Sequence, residues 1–85
     1  MDKQTDLEEQ QNLEQLAVEL DYEALRAGKK KLDDLTVPDL RAVHAYEGWK
    51  DGMEWEDVMA LWLGTNDLYS SRDEILNQLV NVYGY

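Results

Sequence analysis

Apolar residues recur at three- and four-residue steps in four stretches of this chain, with polar runs and glycines between them. The first stripe is Leu13, Leu16, Ala17, Leu20, Ala24 and Ala27. Gly28 is placed to cap it, and Lys29, Lys30 and Lys31 suit the negative end of its dipole. Two readings stay open at Asp21-Tyr22, one helix or two. Residues 1–12 offer only Met1 and Leu7 as large apolar side chains, and Leu7 lies off the stripe. That acidic segment is therefore expected to be mobile, with one helical domain covering residues 13–85.

The second helix has the clearest start. Thr36 is placed as its N-cap, Pro38 falls in the first turn, and Leu35 and Leu40 occupy the two positions of a hydrophobic staple. Val37, Leu40, Val43 and His44 form one face, and Ala42, Ala45 and Tyr46 a smaller second one. Coverage on two sides is the expectation, with an end near Gly48. Asp51-Gly52 reads as a turn.

A third stripe follows in Trp55, Val58, Met59, Trp62 and Leu63, at the spacing of one helical face, with Leu61 outside it and Gly64 closing the helix. Ser71 and Glu74 form a capping box before the fourth stripe, Ile75, Leu76, Leu79, Val80 and Tyr83. The terminal "LVNVYGY" also has the composition of a short strand, but no second strand is there to pair with it. The pattern predicts an all-α bundle of about four short helices. Its single core would hold Leu16, Leu20, Leu40, Val43, Trp55, Val58, Met59, Trp62, Ile75, Leu79 and Val80.

Composition changes this picture in two respects. The chain has no cysteine, which removes disulfides and thiolate metal sites and makes a reducing, cytoplasmic setting the simplest expectation. It has no run of apolar residues long enough to cross a membrane and no basic-then-apolar leader. The net charge is −11, distributed as −7 over residues 1–23, +2 over 24–50 and −6 over 51–85. Two acidic ends flank a mildly basic middle. Such a surface repels anionic membranes and free nucleic acid and attracts a basic protein surface.

Chemistry is sparse. The single histidine, His44, lies on an apolar stripe and reads as a core side chain. Asp33-Asp34 reads as solvated surface. "DGMEWED" and "NDLYSSRDE" both miss the calcium-loop spacing, and no glycine-rich loop could cradle a phosphate. No catalytic residue, metal or cofactor is expected, and the chain is not read as an enzyme.

In "EDVMALWLGTNDLYSSRDEIL", Ala60 and Gly64 stand four apart, and the segment resembles a helix-turn-helix unit. The resemblance covers about a quarter of the chain. It implies a DNA-binding regulator or its cofactor, yet Ser70 replaces the usual apolar residue. Asp67, Asp73 and Glu74 surround Arg72, the only base in residues 51–85. Phosphate contacts need bases, so DNA reading is the weaker alternative. A homodimeric structural or assembly protein, joined through Leu13–Leu20 or Trp49, is another.

The favoured expectation is a non-enzymatic protein-binding module that occupies a basic, nucleic-acid-binding surface of its partner. This profile (short, acidic, cysteine-free, without catalytic residues) resembles small phage-encoded inhibitors of restriction or CRISPR nucleases that mimic DNA. Carboxylates at i and i+4 on a helix rise ~6 Å apart, close to the phosphate spacing of a strand. Glu19 and Glu23 have that spacing in sequence. Asp51, Glu54, Glu56 and Asp57 surround the tryptophans, and Trp49, off every stripe, is either a lid over the core or an exposed anchor. These seven residues are the candidate contact set.

Overall fold

The computed structural model describes residues 3–85, which form five helices: α1 (Lys3–Glu19), α2 (Tyr22–Arg26), α3 (Val37–Lys50), α4 (Trp55–Leu63) and α5 (Arg72–Asn81). A 3₁₀ turn, Leu32–Asp34, precedes α3. Among the described residues there is no strand, and "LVNVYGY" continues α5 into a terminal turn. The fold is all-α, as the hydrophobic pattern predicts.

Helix α1 begins earlier than the first apolar stripe. Residues 1 and 2 of the acidic segment lie outside the described residues, but 3–12 belong to α1, which begins well before Leu13. No glycine or proline interrupts the first nineteen residues, and Gln, Glu and Leu all favour helix. A tertiary bond adds to this: the Trp55 indole N–H donates to Glu9 Oε2 at 2.9 Å, tying α1 to α4. The stripe does not run on through Asp21. That residue adopts φ 60° and ψ 54°, a left-handed conformation that Asp tolerates better than most residues. The chain turns there and restarts as α2, with the Leu25 N–H donating to the Asp21 carbonyl at 3.1 Å.

Helix α3 begins as predicted, the Thr36 hydroxyl accepting from the Asp39 N–H at 3.4 Å with Pro38 in the first turn. It runs past Gly48 to Lys50, so Trp49 belongs to a last helical turn rather than to a loop. This helix packs against α1, α4 and α5. Leu40, Ala42, Val43, His44, Ala45, Glu47 and Gly48 are all buried, which is burial on two sides. Leu40 and Val43 pack with Leu25, Leu35, Ile75 and Leu79. Ala45 lies among Leu13, Val58 and Leu61. The interior is two clusters joined across one helix, where the pattern predicts one core.

Small residues decide how α4 lies on α3. A Cβ added at Gly48 would stand 3.1 Å from Met53 Sδ and 3.6 Å from Leu61 Cδ1, so the helices approach closely there. Val58 and Leu61 fill this narrow seam, whereas Trp55, Met59 and Trp62 are half-buried along its edges. Leu63, assigned to the apolar stripe, is 63% exposed. The helix is thus rotated from the predicted face, with Val58 and Leu61 rather than the indoles seated where α4 approaches Gly48 closely. On α5, Ile75 and Leu79 are fully buried while Val80 is 49% exposed. Leu16 and Leu20 are half-buried.

Ser71 caps α5 in the predicted box, accepting from the Glu74 N–H at 3.4 Å and donating to Glu74 Oε1 at 2.8 Å. The Arg72 guanidinium donates to the Leu35 and Asp33 carbonyls, both at 2.7 Å, and holds the start of α5 to the 3₁₀ turn. Gly64 ends α4 at φ 76°, and the Thr65 N–H closes the turn on the Ala60 carbonyl at 3.0 Å. A Cβ at Gly64 would meet the Arg41 guanidinium at 2.6 Å. Gly28 has nearly the same backbone angle, φ 77°, with nothing within 4 Å. Gly28→Ala should therefore cost about 1 kcal/mol, the left-handed penalty alone, and Gly64→Ala about 2 kcal/mol or more. Urea denaturation of both variants measures the difference; equal costs would show that Arg41 moves aside freely.

Candidate partner-binding surface

Acids and bases are engaged differently in this fold. From Glu9 onward every Asp and Glu is exposed except Glu9, Asp39 and Glu47. Four of the bases donate to the protein's own neutral oxygens, while Lys29 and Lys31 are exposed. Arg26 donates to the Tyr83 carbonyl, Lys30 to the Leu20 carbonyl and Lys50 to the Tyr22 hydroxyl. Arg72 bridges two carbonyls, and Arg41 buries its Nε without a hydrogen-bond partner.

Most of the candidate contact residues gather at the corner between α3 and α4. Asp51 caps α3, Glu54 precedes α4, and Glu56 and Asp57 lie in the first turn of α4, where they complement the helix dipole. All four are exposed, and the Glu54 side chain makes no capping bond. Trp49 is half-buried beside them, packed on the Leu13–Ala45–Val58–Leu61 cluster with its ring 5.8 Å from that of Tyr46. It is a partial lid with one edge in solvent.

Glu19 and Glu23 do not form the expected pair. The left-handed Asp21 separates them onto α1 and α2, so the i, i+4 relation on a single helix is lost. The phosphate-like spacing argued from one continuous helix does not apply to them. Glu23 instead lines a cleft of about 380 Å³ with Ala17, Val18, Asp21, Tyr22, Tyr46 and Lys50. Glu19 is exposed outside that lining.

Within the cleft the Tyr22 and Tyr46 rings meet edge to face, their centroids 4.8 Å apart. The Lys50 ammonium sits 4.9 Å from the Tyr22 centroid and 5.4 Å from that of Tyr46. Burial first, then a hydrogen bond to Glu47 and the charge of that carboxylate, push the Tyr22 phenol up to about 12. Asp21, Tyr22, Tyr46 and Lys50 were not among the sequence candidates. The only signal for them is that "DYE" and "YEGWK" each set a tyrosine beside charged residues.

Two ionisable groups are buried in α3. Glu47 accepts from the Tyr85 hydroxyl at 3.1 Å, and the Arg26 guanidinium lies 4.9 Å over the Tyr85 ring. Burial, and then the Glu47 charge, raise the Tyr85 phenol above its ordinary value. His44 is 2% exposed, with the rings of Tyr69 and Tyr83 edge-on at 5.6 and 6.0 Å. Desolvation lowers it from 6.5 to about 4. Among the described residues no three His, Asp or Glu side chains group as a metal site, and no helix is long and apolar enough to cross a membrane.

Comparison with protein-family models, curated proteins and solved structures gave no match.

Two outcomes follow from the buried groups. Below pH 6.5 the unfolded chain takes a proton on His44 that the folded chain refuses until about pH 4. Stability is therefore unaffected by this group above 6.5 and falls as pH drops toward 4. Between pH 7 and pH 5 the loss is about 2 kcal/mol, and His44→Gln should remove it. Urea stabilities of the two proteins at both pH values check this; parallel losses would contradict it. Tyr85→Phe takes the hydroxyl from a buried carboxylate and should cost about 1–2 kcal/mol in the same assay at pH 7. A cost near zero would show that water or the Tyr22 hydroxyl replaces it.

Proposed function

We propose that this chain is a small non-enzymatic binding module whose acidic surface engages a basic site on a partner protein. The observation that carries the reading is that most acids from Glu9 onward are exposed at the surface, while four of the bases are engaged by neutral oxygens of the fold. Glu14, Glu19, Asp21, Glu23 and the acids of α4 and the start of α5 are exposed, while Arg26, Lys30, Lys50 and Arg72 donate to the protein's own neutral oxygens. None of those four bases donates to a carboxylate in these bonds, so the outward field is left strongly negative.

The finer form of the proposal is that the basic site is a nucleic-acid-binding groove and that the protein acts as an inhibitor by occupying it. A groove built to hold phosphates offers bases at close spacing, and the corner formed by Asp51, Glu54, Glu56 and Asp57 supplies carboxylates to meet them. Trp49 adds an apolar edge within that rim, which favours residence once contact is made.

Direct DNA binding through α4 and α5 is disfavoured by two observations. Each helix packs on α3, and Arg72, the base a DNA reader would aim at phosphate, is held by the Leu35 and Asp33 carbonyls. The exposed positions of α5 include Asp73, Glu74, Asn77 and Asn81.

The test is binding to a partner captured from lysate at low salt, measured with purified components across a salt series. The Glu54→Gln/Glu56→Gln/Asp57→Asn variant should bind at least about tenfold more weakly at low salt. That gap should close as screening shortens from ~10 Å at 0.1 M toward ~3 Å at 1 M. Trp49→Ala should raise the dissociation rate with little change in association. Affinities that ignore both salt and these substitutions would remove the proposal.

A further inference from the structure

We propose that the cleft between the α1–α2 elbow and the end of α3 is a receptor for one arginine side chain of the basic partner, and that Lys50 occupies it in the free protein. The inference rests on the acidic-module reading and names the contact by which such a partner would be gripped. The cleft already holds a cation: the Lys50 ammonium lies over both tyrosine rings and donates to the Tyr22 hydroxyl at 3.3 Å. Paired aromatic faces stabilise a cation through their quadrupoles, most strongly where water is partly excluded. Asp21 and Glu23 stand on the wall of the same cleft, and both are exposed.

Lys50 is a replaceable occupant. Its residue is exposed, and its four-carbon stem can carry the ammonium back into water without disturbing α3. An arginine has three advantages over it. Its planar guanidinium stacks on tyrosine, its fork of N–H groups pairs with a carboxylate through two bonds, and it is more weakly hydrated than an ammonium. Val18, 73% exposed at the cleft, gives the methylene stem an apolar surface. Tyr46 also leans toward Trp49, so the cleft adjoins the acidic corner rather than lying apart from it.

The experiment uses a tri-arginine peptide titrated into the 85-residue chain at low salt, with affinity and the ring signals of Tyr22 and Tyr46 followed by NMR. Lys50→Met empties the cleft and should tighten binding at least fivefold. Lys31→Met removes the same charge outside this cleft and should change affinity less than twofold. Adding Tyr22→Leu or Tyr46→Leu to Lys50→Met should cancel the gain; each double variant is read separately, so one folded protein suffices. A tri-lysine peptide should bind more weakly than tri-arginine.

Equal gains from Lys50→Met and Lys31→Met, or tight binding that leaves both rings unperturbed, would overturn the arginine receptor and leave the acidic module standing. Absence of any salt-dependent binding of the peptide would overturn both.

Discussion

Everything else in this protein depends on α3 being buried along two sides by neighbours that approach it closely. Eighty-five residues supply little apolar surface, and one helix serving two clusters makes the most of it. Leu40 and Val43 close one side against Ile75 and Leu79, while Ala45 and Gly48 let α4 seat Val58 and Leu61 on the other. The close approach also sets Met53 against Gly48 at the turn and so fixes the α3–α4 corner. The same helix carries Tyr46, Glu47 and Lys50 toward α1, α2 and the chain end. A larger residue at Gly48 would disturb the packing and the surface together.

The electrostatic character follows from this economy. With few apolar groups to hold turns and chain ends, the fold uses its bases as internal ties. Arg72 fastens the 3₁₀ turn, Arg26 the chain end, and Lys30 the carbonyl of Leu20 just after α1. A guanidinium or ammonium placed on backbone carbonyls satisfies groups that regular helix geometry leaves free. The consequence is a surface on which exposed carboxylates outnumber exposed bases, in keeping with the net charge of −11. On the proposed reading, affinity for a basic partner would follow from how the small core is stabilised, with Lys50 the tie that a competing cation replaces most easily.

Much of the architecture was legible in the sequence. Helix starts marked by Thr36 and Ser71, the end marked by Gly64 and the two-sided burial of α3 all follow from local chemistry. Other features were not legible, for identifiable reasons. The start of α1 depends on a bond from Trp55 to Glu9 across 46 residues, which no local pattern encodes. The rotation of α4 depends on how closely Gly48 lets it approach, so Leu61 is buried while Trp55, Met59 and Trp62, predicted core residues, are half-buried. The break at Asp21 turned on a backbone angle that Asp can adopt but does not announce. Of the contact set, the corner residues were read as a group because they are adjacent in sequence. The cleft was missed because Tyr22 and Tyr46 come together only through the packing of the elbow on α3.

The central claim is that carboxylates of this protein take the place of phosphates on a basic groove. A displacement titration tests it most directly. The captured partner is loaded with a fluorescent oligonucleotide, and the anisotropy is followed as this protein is added. The account predicts complete, competitive release, with the apparent affinity of the protein falling in proportion to the oligonucleotide already bound. A stable ternary complex, with the oligonucleotide retained while the protein binds elsewhere, would contradict it.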